Sequence, residues 1–135
     1  MSNQNSEIIK KQAYEKYDLE LDARGFLWIK HRSNITFELL DAQKQEKEIA
    51  EFINNNTLPF LIDVRVQNWN APKEVRDFHS TSPGILSLKN SEAILVNNLG
   101  IRILANFYNK INQPPNPTKI FNNEEDAIQW ILNFT

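Results

Sequence analysis

The chain has 135 residues, 41% of them hydrophobic and 24% charged, the make-up of one ordinary globular domain. It contains no cysteine, which excludes disulfides, thiolate metal sites and cysteine nucleophiles together. The formal net charge of −2 gives neither a nucleic-acid polyanion nor an anionic membrane a strong electrostatic pull.

Residues 1–13 read as a disordered lead-in, polar and charged, without the apolar stretch of a signal peptide. No apolar run approaches the ~18 residues of a membrane span, so a cytoplasmic location is expected. Residues 14–135 read as a single domain. Tyr17, Leu19 and Leu21 alternate with Lys16, Asp18 and Glu20, the period of two that marks a half-buried strand. Asp22-Ala23-Arg24-Gly25 supplies a turn in which Gly25 can take positive φ. Phe26 to His31 and Ile35 to Leu39 read as two further strands, completing an antiparallel meander.

The period then lengthens. Asp41 is the expected N-cap of a helix whose apolar face is Ala42, Ile49, Phe52 and Ile53. The compact apolar run from Pro59 to Arg65 suits a central strand. Pro72 opens a helix with Val75 and Phe78 turned inward, and Ser82-Pro83 restarts it with Ile85 and Leu88 toward the core. A strand over 92–97 is followed by a helix over 99–112 that stops before Pro114-Pro115-Asn116-Pro117. A short strand from Thr118 to Phe121 leads into a last helix, for which Asn122 and Glu125 fit a capping box. Because helices connect them, strands 59–65, 92–97 and 118–121 are expected to run parallel.

This order, with the segments Phe60 to Arg65, Glu92 to Asn97, Leu99 to Asn112 and Thr118 to Ala127, resembles an uncharacterised bacterial family. That family is grouped with STAS domains, the SpoIIAA-like fold of anti-sigma-factor antagonists, and more loosely with CRAL-TRIO lipid-binding domains. The resemblance implies an α/β domain, bordering on α+β, with a strand meander and helix–strand repeats in one mixed sheet flanked by helices. It does not imply an activity. Anti-sigma antagonists carry a phosphorylatable serine where the central strand meets its helix. The matching stretch here, Asn68-Trp69-Asn70-Ala71-Pro72-Lys73, has no hydroxyl, and Ser80, Thr81 and Ser82 fall at a helix break downstream. The phosphoswitch is therefore not expected.

Glycines stand only at 25, 84 and 100, in no phosphate-loop or dinucleotide spacing, and no cofactor is expected. His31 and His79 share no ligand motif with nearby acids, so no metal is expected either. Asp63 is placed near the carboxyl end of the central strand, where α/β folds gather functional groups, and alternation sets Arg65 on its own face. An ion pair or loop anchor explains both. Trp69 can stack on a ligand or fold back on the core. With Asn70, Asn97, Asn98 and Asn122, these residues form the candidate binding edge, because helix N-termini and their amides collect at the ends of parallel strands.

The helix over 99–112 carries a second apolar stripe, Leu99, Ile103 and Phe107, whose readings are burial in the monomer, a homodimer contact or a lipid-lined groove. The sequence as a whole points to a non-enzymatic module binding a protein partner or small ligand. A carrier of small apolar ligands is the alternative, and an enzyme of unknown type the third.

Overall fold

The structure, a computed structural model, describes residues 7–66, 69–97 and 115–135. Its centre is a six-stranded mixed sheet in the order β1-β2-β3-β5-β7-β8. The strands are β1 (Ile8–Ala13), β2 (Tyr17–Asp22), β3 (Phe26–His31), β5 (Leu58–Asp63), β7 (Lys89–Leu95) and β8 (Thr118–Phe121). The first three pair antiparallel. β3, β5, β7 and β8 pair parallel, as the helical connections dictate.

The meander is real, but its strands differ from the sequence reading. The stretch read as a lead-in contributes β1 from Ile8 onward. Ile35 to Leu39 is not the third strand: only Ile35–Thr36 (β4) forms a strand, and it pairs with Trp69–Asn70 (β6) in a separate two-stranded parallel sheet. The reason is local, because Glu38 already caps helix α1 (Leu39–Phe52) and Asp41, expected to be the cap, lies three residues inside it. There Asp41 Oδ2 accepts the Glu38 N–H at 2.8 Å, satisfying a donor that the helix start would otherwise leave open.

Each face of the sheet is covered. Leu19, Leu27, Ile29, Phe60 and Ile62 pack beneath α1, through Ala42, Ile49 and Phe52, and beneath α2 (Lys73–Thr81), through Val75. The alternate residues Phe26, Trp28, Leu61, Ala93 and Leu95 pack against Ala127 and Ile131 of α4 (Glu124–Ile131). The period of two along β3 and β5 thus distributes one apolar run between two cores. α3 (Pro83–Leu88) restarts after α2 with Pro83 in its first turn and buries Ile85 and Leu88, as read from Ser82-Pro83. The cap of α4 is Asn123, one residue later than expected, with Oδ1 accepting the Asp126 N–H at 2.9 Å. Among the described residues no helix is long and apolar enough to cross a membrane. The expected helix over 99–112, with Asn98, Leu99, Ile103 and Phe107, lies outside the described residues.

Candidate functional site

The expected edge divides when its residues are placed. Asp63 and Arg65 form a two-pronged ion pair, with Arg65 Nε on Asp63 Oδ1 at 3.0 Å and Nη2 on Oδ2 at 2.7 Å. The same guanidinium reaches Glu124 in the first turn of α4 at 3.0 Å. This is an anchor between a strand end and a helix start. Asn70 is exposed, and its carbonyl accepts the Phe37 N–H at 2.8 Å. Asn97 and Asn122 are exposed as well. Trp69 turns toward the core, its ring centroid 5.0 Å from His31 and 6.4 Å from Phe37.

Behind Trp69 lies a cavity of about 90 Å³ between the sheet and helices α1 and α2. Its floor is Ile29 and His31 of β3, Ile62 of β5, and Glu92 and Ile94 of β7. Ala42 and Gln45 of α1 and Val75, Arg76 and His79 of α2 form the roof. Phe37, Trp69 and Ala71 close one side. Most of this wall is aliphatic or aromatic, yet three of its buried polar atoms have no hydrogen-bond partner among the described residues: His31 Nδ1, Gln45 Nε2 and Trp69 Nε1. Buried polar groups are nearly always satisfied, so three around one small space single that space out. Trp28 Nε1, on the opposite face of the sheet, is a separate case.

Each of these residues is placed by the regular pattern of its element. His31 continues the face of Leu27 and Ile29 along β3, which carries an imidazole into an apolar layer. Burial pushes its pKa down to about 3, His79 nearby pushes the same way, and Asp63 opposes. The ring is therefore neutral at ordinary pH. Gln45 lies on the core stripe of α1 between Ala42 and Ile49 and is 4% exposed. At the far side, Glu92 accepts both Lys89 Nζ and His79 Nε2 on its Oε1, each at 2.6 Å. Burial alone would raise the Glu92 carboxyl, but Lys89 and His79 outweigh it and hold it well below the usual carboxylate range.

Chemically, the cavity offers a donor-only indole, an amide nitrogen, a guanidinium and a neutral imidazole, set in aliphatic walls. Among the described residues no serine, threonine or cysteine lines it. The hydroxyls of Ser80 and Thr81 are turned to the Asp77 carbonyl, and that of Ser82 to Glu46. Among the described residues no three His, Asp or Glu side chains come together as a metal site. Of the wall, only Trp69 is a binding candidate from sequence, where the two histidines share no ligand motif with nearby acids. His31, Gln45, Arg76, His79 and Glu92 come from four elements distant in sequence. Their one sequence signal is a polar residue on an otherwise apolar face.

The chain belongs to the family defined by a domain of unknown function, DUF7793, whose model matches residues 19–135. The resemblance read from the sequence, to an uncharacterised family, agrees with that match. The chain is also similar to the crystal structure of an uncharacterized protein from the DUF3478 family with a SpoIIAA-like fold, from Shewanella loihica PV-4. The two are 14% identical, over 97% of this chain and 98% of that one, with a TM-score of 0.49. No curated protein matches the chain.

Proposed function

We propose that this chain is a non-enzymatic binding module that takes a small molecule into the cavity between the sheet and helices α1 and α2. The observation that carries the reading is the convergence of His31 Nδ1, Gln45 Nε2 and Trp69 Nε1, all buried and without partners among the described residues, on one cavity. Ligand sites have this character, a mostly apolar wall with a few polar groups that fix orientation. The cavity also lies toward the carboxyl ends of β3 and β5, where open α/β sheets bind their ligands.

Size favours a compact polar ligand over the carrier reading. A volume of about 90 Å³ is smaller than the roughly 150 Å³ of a cavity that takes up benzene, too little to enclose an acyl chain. The enzyme reading has less support, because among the described residues the wall offers no hydroxyl or thiol nucleophile and the Glu92 carboxylate is already engaged by Lys89 and His79.

A fragment screen followed by two-dimensional NMR tests the reading. Bound fragments should shift the Trp69 indole N–H, the Gln45 side-chain amide and the Ile29 and Ile94 methyls together. Shifts confined to Arg65, Asn70, Asn97 and Asn122, with the cavity signals unmoved, would transfer the function to the strand-end edge and to a protein partner.

A further inference from the structure

The donors around the cavity define the chemistry of its occupant more narrowly than its size does. The Trp69 indole and the Gln45 Nε2 can only donate, and neither has a partner among the described residues. The complementary group accepts several hydrogen bonds and donates none, which describes an oxyanion. We infer that the cavity takes the carboxylate of a short-chain monocarboxylic acid, held by Gln45 and Trp69, with its hydrocarbon end against Ile29, Ile62 and Ile94. This inference rests on the small-ligand reading above and specifies its ligand.

Three features of the wall support the choice. A phosphate or sulfate would also accept from these donors, but it would press charged oxygens on every side against Ile29, Ile62, Val75 and Ile94, which line the same small space. A carboxylate with a short aliphatic tail divides its surface as the wall is divided. The volume, about 90 Å³ against roughly 150 Å³ for a cavity that takes up benzene, suits a molecule of about four to five heavy atoms, the span from acetate to propionate. Charge is compatible as well. The carboxylates nearby each have a cation of their own, Lys89 for Glu92 at 2.6 Å and Arg65 for Asp63 at 2.7 Å. Neither therefore presents bare negative charge to an incoming anion.

The burial of Gln45 and His31 supports the same occupant. Gln45 is 4% exposed and His31 8% exposed, so water reaches them poorly, and leaving their nitrogens unsatisfied is costly. A carboxylate at Gln45 and Trp69 places a charged acceptor on two donors, and charge-assisted hydrogen bonds are about twice as strong as neutral ones.

The test is an NMR titration of the full chain with sodium propionate, propionamide and 1-propanol, against sodium chloride at matched ionic strength. The Trp69 indole signal is assigned by Trp69→Phe. Propionate should shift the Trp69 indole and Gln45 amide signals saturably, and propionamide should bind about tenfold more weakly or worse, as expected when a charged acceptor becomes neutral. Gln45→Met, which keeps the length of the side chain and removes its donor, should weaken propionate by about tenfold with the rest of the spectrum unchanged. If that variant does not fold, the order of propionate over propionamide in the unaltered chain decides alone. Propionamide or propanol binding as well as propionate overturns the carboxylate assignment and leaves the small-ligand reading standing. No response to any of the three also overturns the assignment. In that case, larger fragments that shift the same signals keep the small-ligand reading, and a silent screen removes it too.

Discussion

Asp63 receives both prongs of the Arg65 guanidinium, and its Oδ1 also accepts the Arg65 backbone N–H at 3.1 Å. One carboxylate therefore ends β5 and holds the turn that follows, while Arg65 carries the link on to Glu124. Asp63 is 9% exposed and Arg65 is exposed, so screening takes part of the pair's strength. Asp63→Asn should lower stability by about 1–2 kcal/mol, since it weakens three hydrogen bonds without emptying the space. Urea denaturation reads this directly. An unchanged midpoint would mean that the turn is held by its backbone alone.

Acid should destabilise the fold in two stages. His31 takes its proton in the unfolded chain near 6.5, but in the folded chain not until about 3. Stability is full above the unfolded value and falls as pH drops below it, at up to about 1.4 kcal/mol per pH unit. Glu92, held below its ordinary 4.5, adds its own loss only once pH falls past that ordinary value. The interval between the two ordinary values therefore belongs to His31. Comparing unfolding free energies at about pH 7.5 and about pH 5 should show the loss, and His31→Gln should flatten it. A variant with the same slope would assign the titration to another group.

Lys89 and Glu92 are a buried ion pair, with both side chains 3% exposed. Removing one partner leaves the other charge stranded, so Lys89→Met should cost about 3–5 kcal/mol. The double variant Lys89→Met/Glu92→Leu should cost less than the two single losses combined, because neither charge is then left behind. Losses that simply add would show that the two side chains do not support each other.

Gly25 takes φ of +104° in the turn between β2 and β3, a conformation that strains any residue bearing a Cβ. A Cβ there would also meet the Thr135 side chain at 3.4 Å. Gly25→Ala should lower stability by about 1 kcal/mol or more, read as a drop in Tm. A Tm that holds or rises would mean the turn can relax to negative φ.

The central parallel strands are legible in the sequence because Phe60-Leu61-Ile62 and Ala93-Ile94-Leu95 are runs buried on both faces, and such runs need no alternation. β1 is not legible for the opposite reason. All six of its residues are exposed, so its strand character comes from pairing with β2 and not from burial. Ile35 to Leu39 misleads because an apolar alternation continues through Phe37 into residues that already begin a helix. The anchor pair Asp63–Arg65 follows from strand alternation alone. The cavity does not, because His31, Gln45, His79 and Glu92 each look like an isolated polar residue until β3, α1, α2 and β7 are packed together. The clue that survives in one dimension is His31 in step with Leu27 and Ile29, where a surface reading of the histidine already fails.

β1 also guards the sheet against other copies of itself. An open strand edge is a template for intermolecular pairing, and charged side chains and bulges are the usual deterrents. β1 carries Lys10 and Lys11 at its middle and a register shift between Ile8 and Lys10. Without it the exposed edge would be β2, whose Leu19 is fully buried and whose ladder lies straight along β3. A shortened chain starting at Tyr14 would keep almost all of its core and still be prone to stick edge to edge, so its weakness would appear as aggregation on concentration and not as a lower melting temperature.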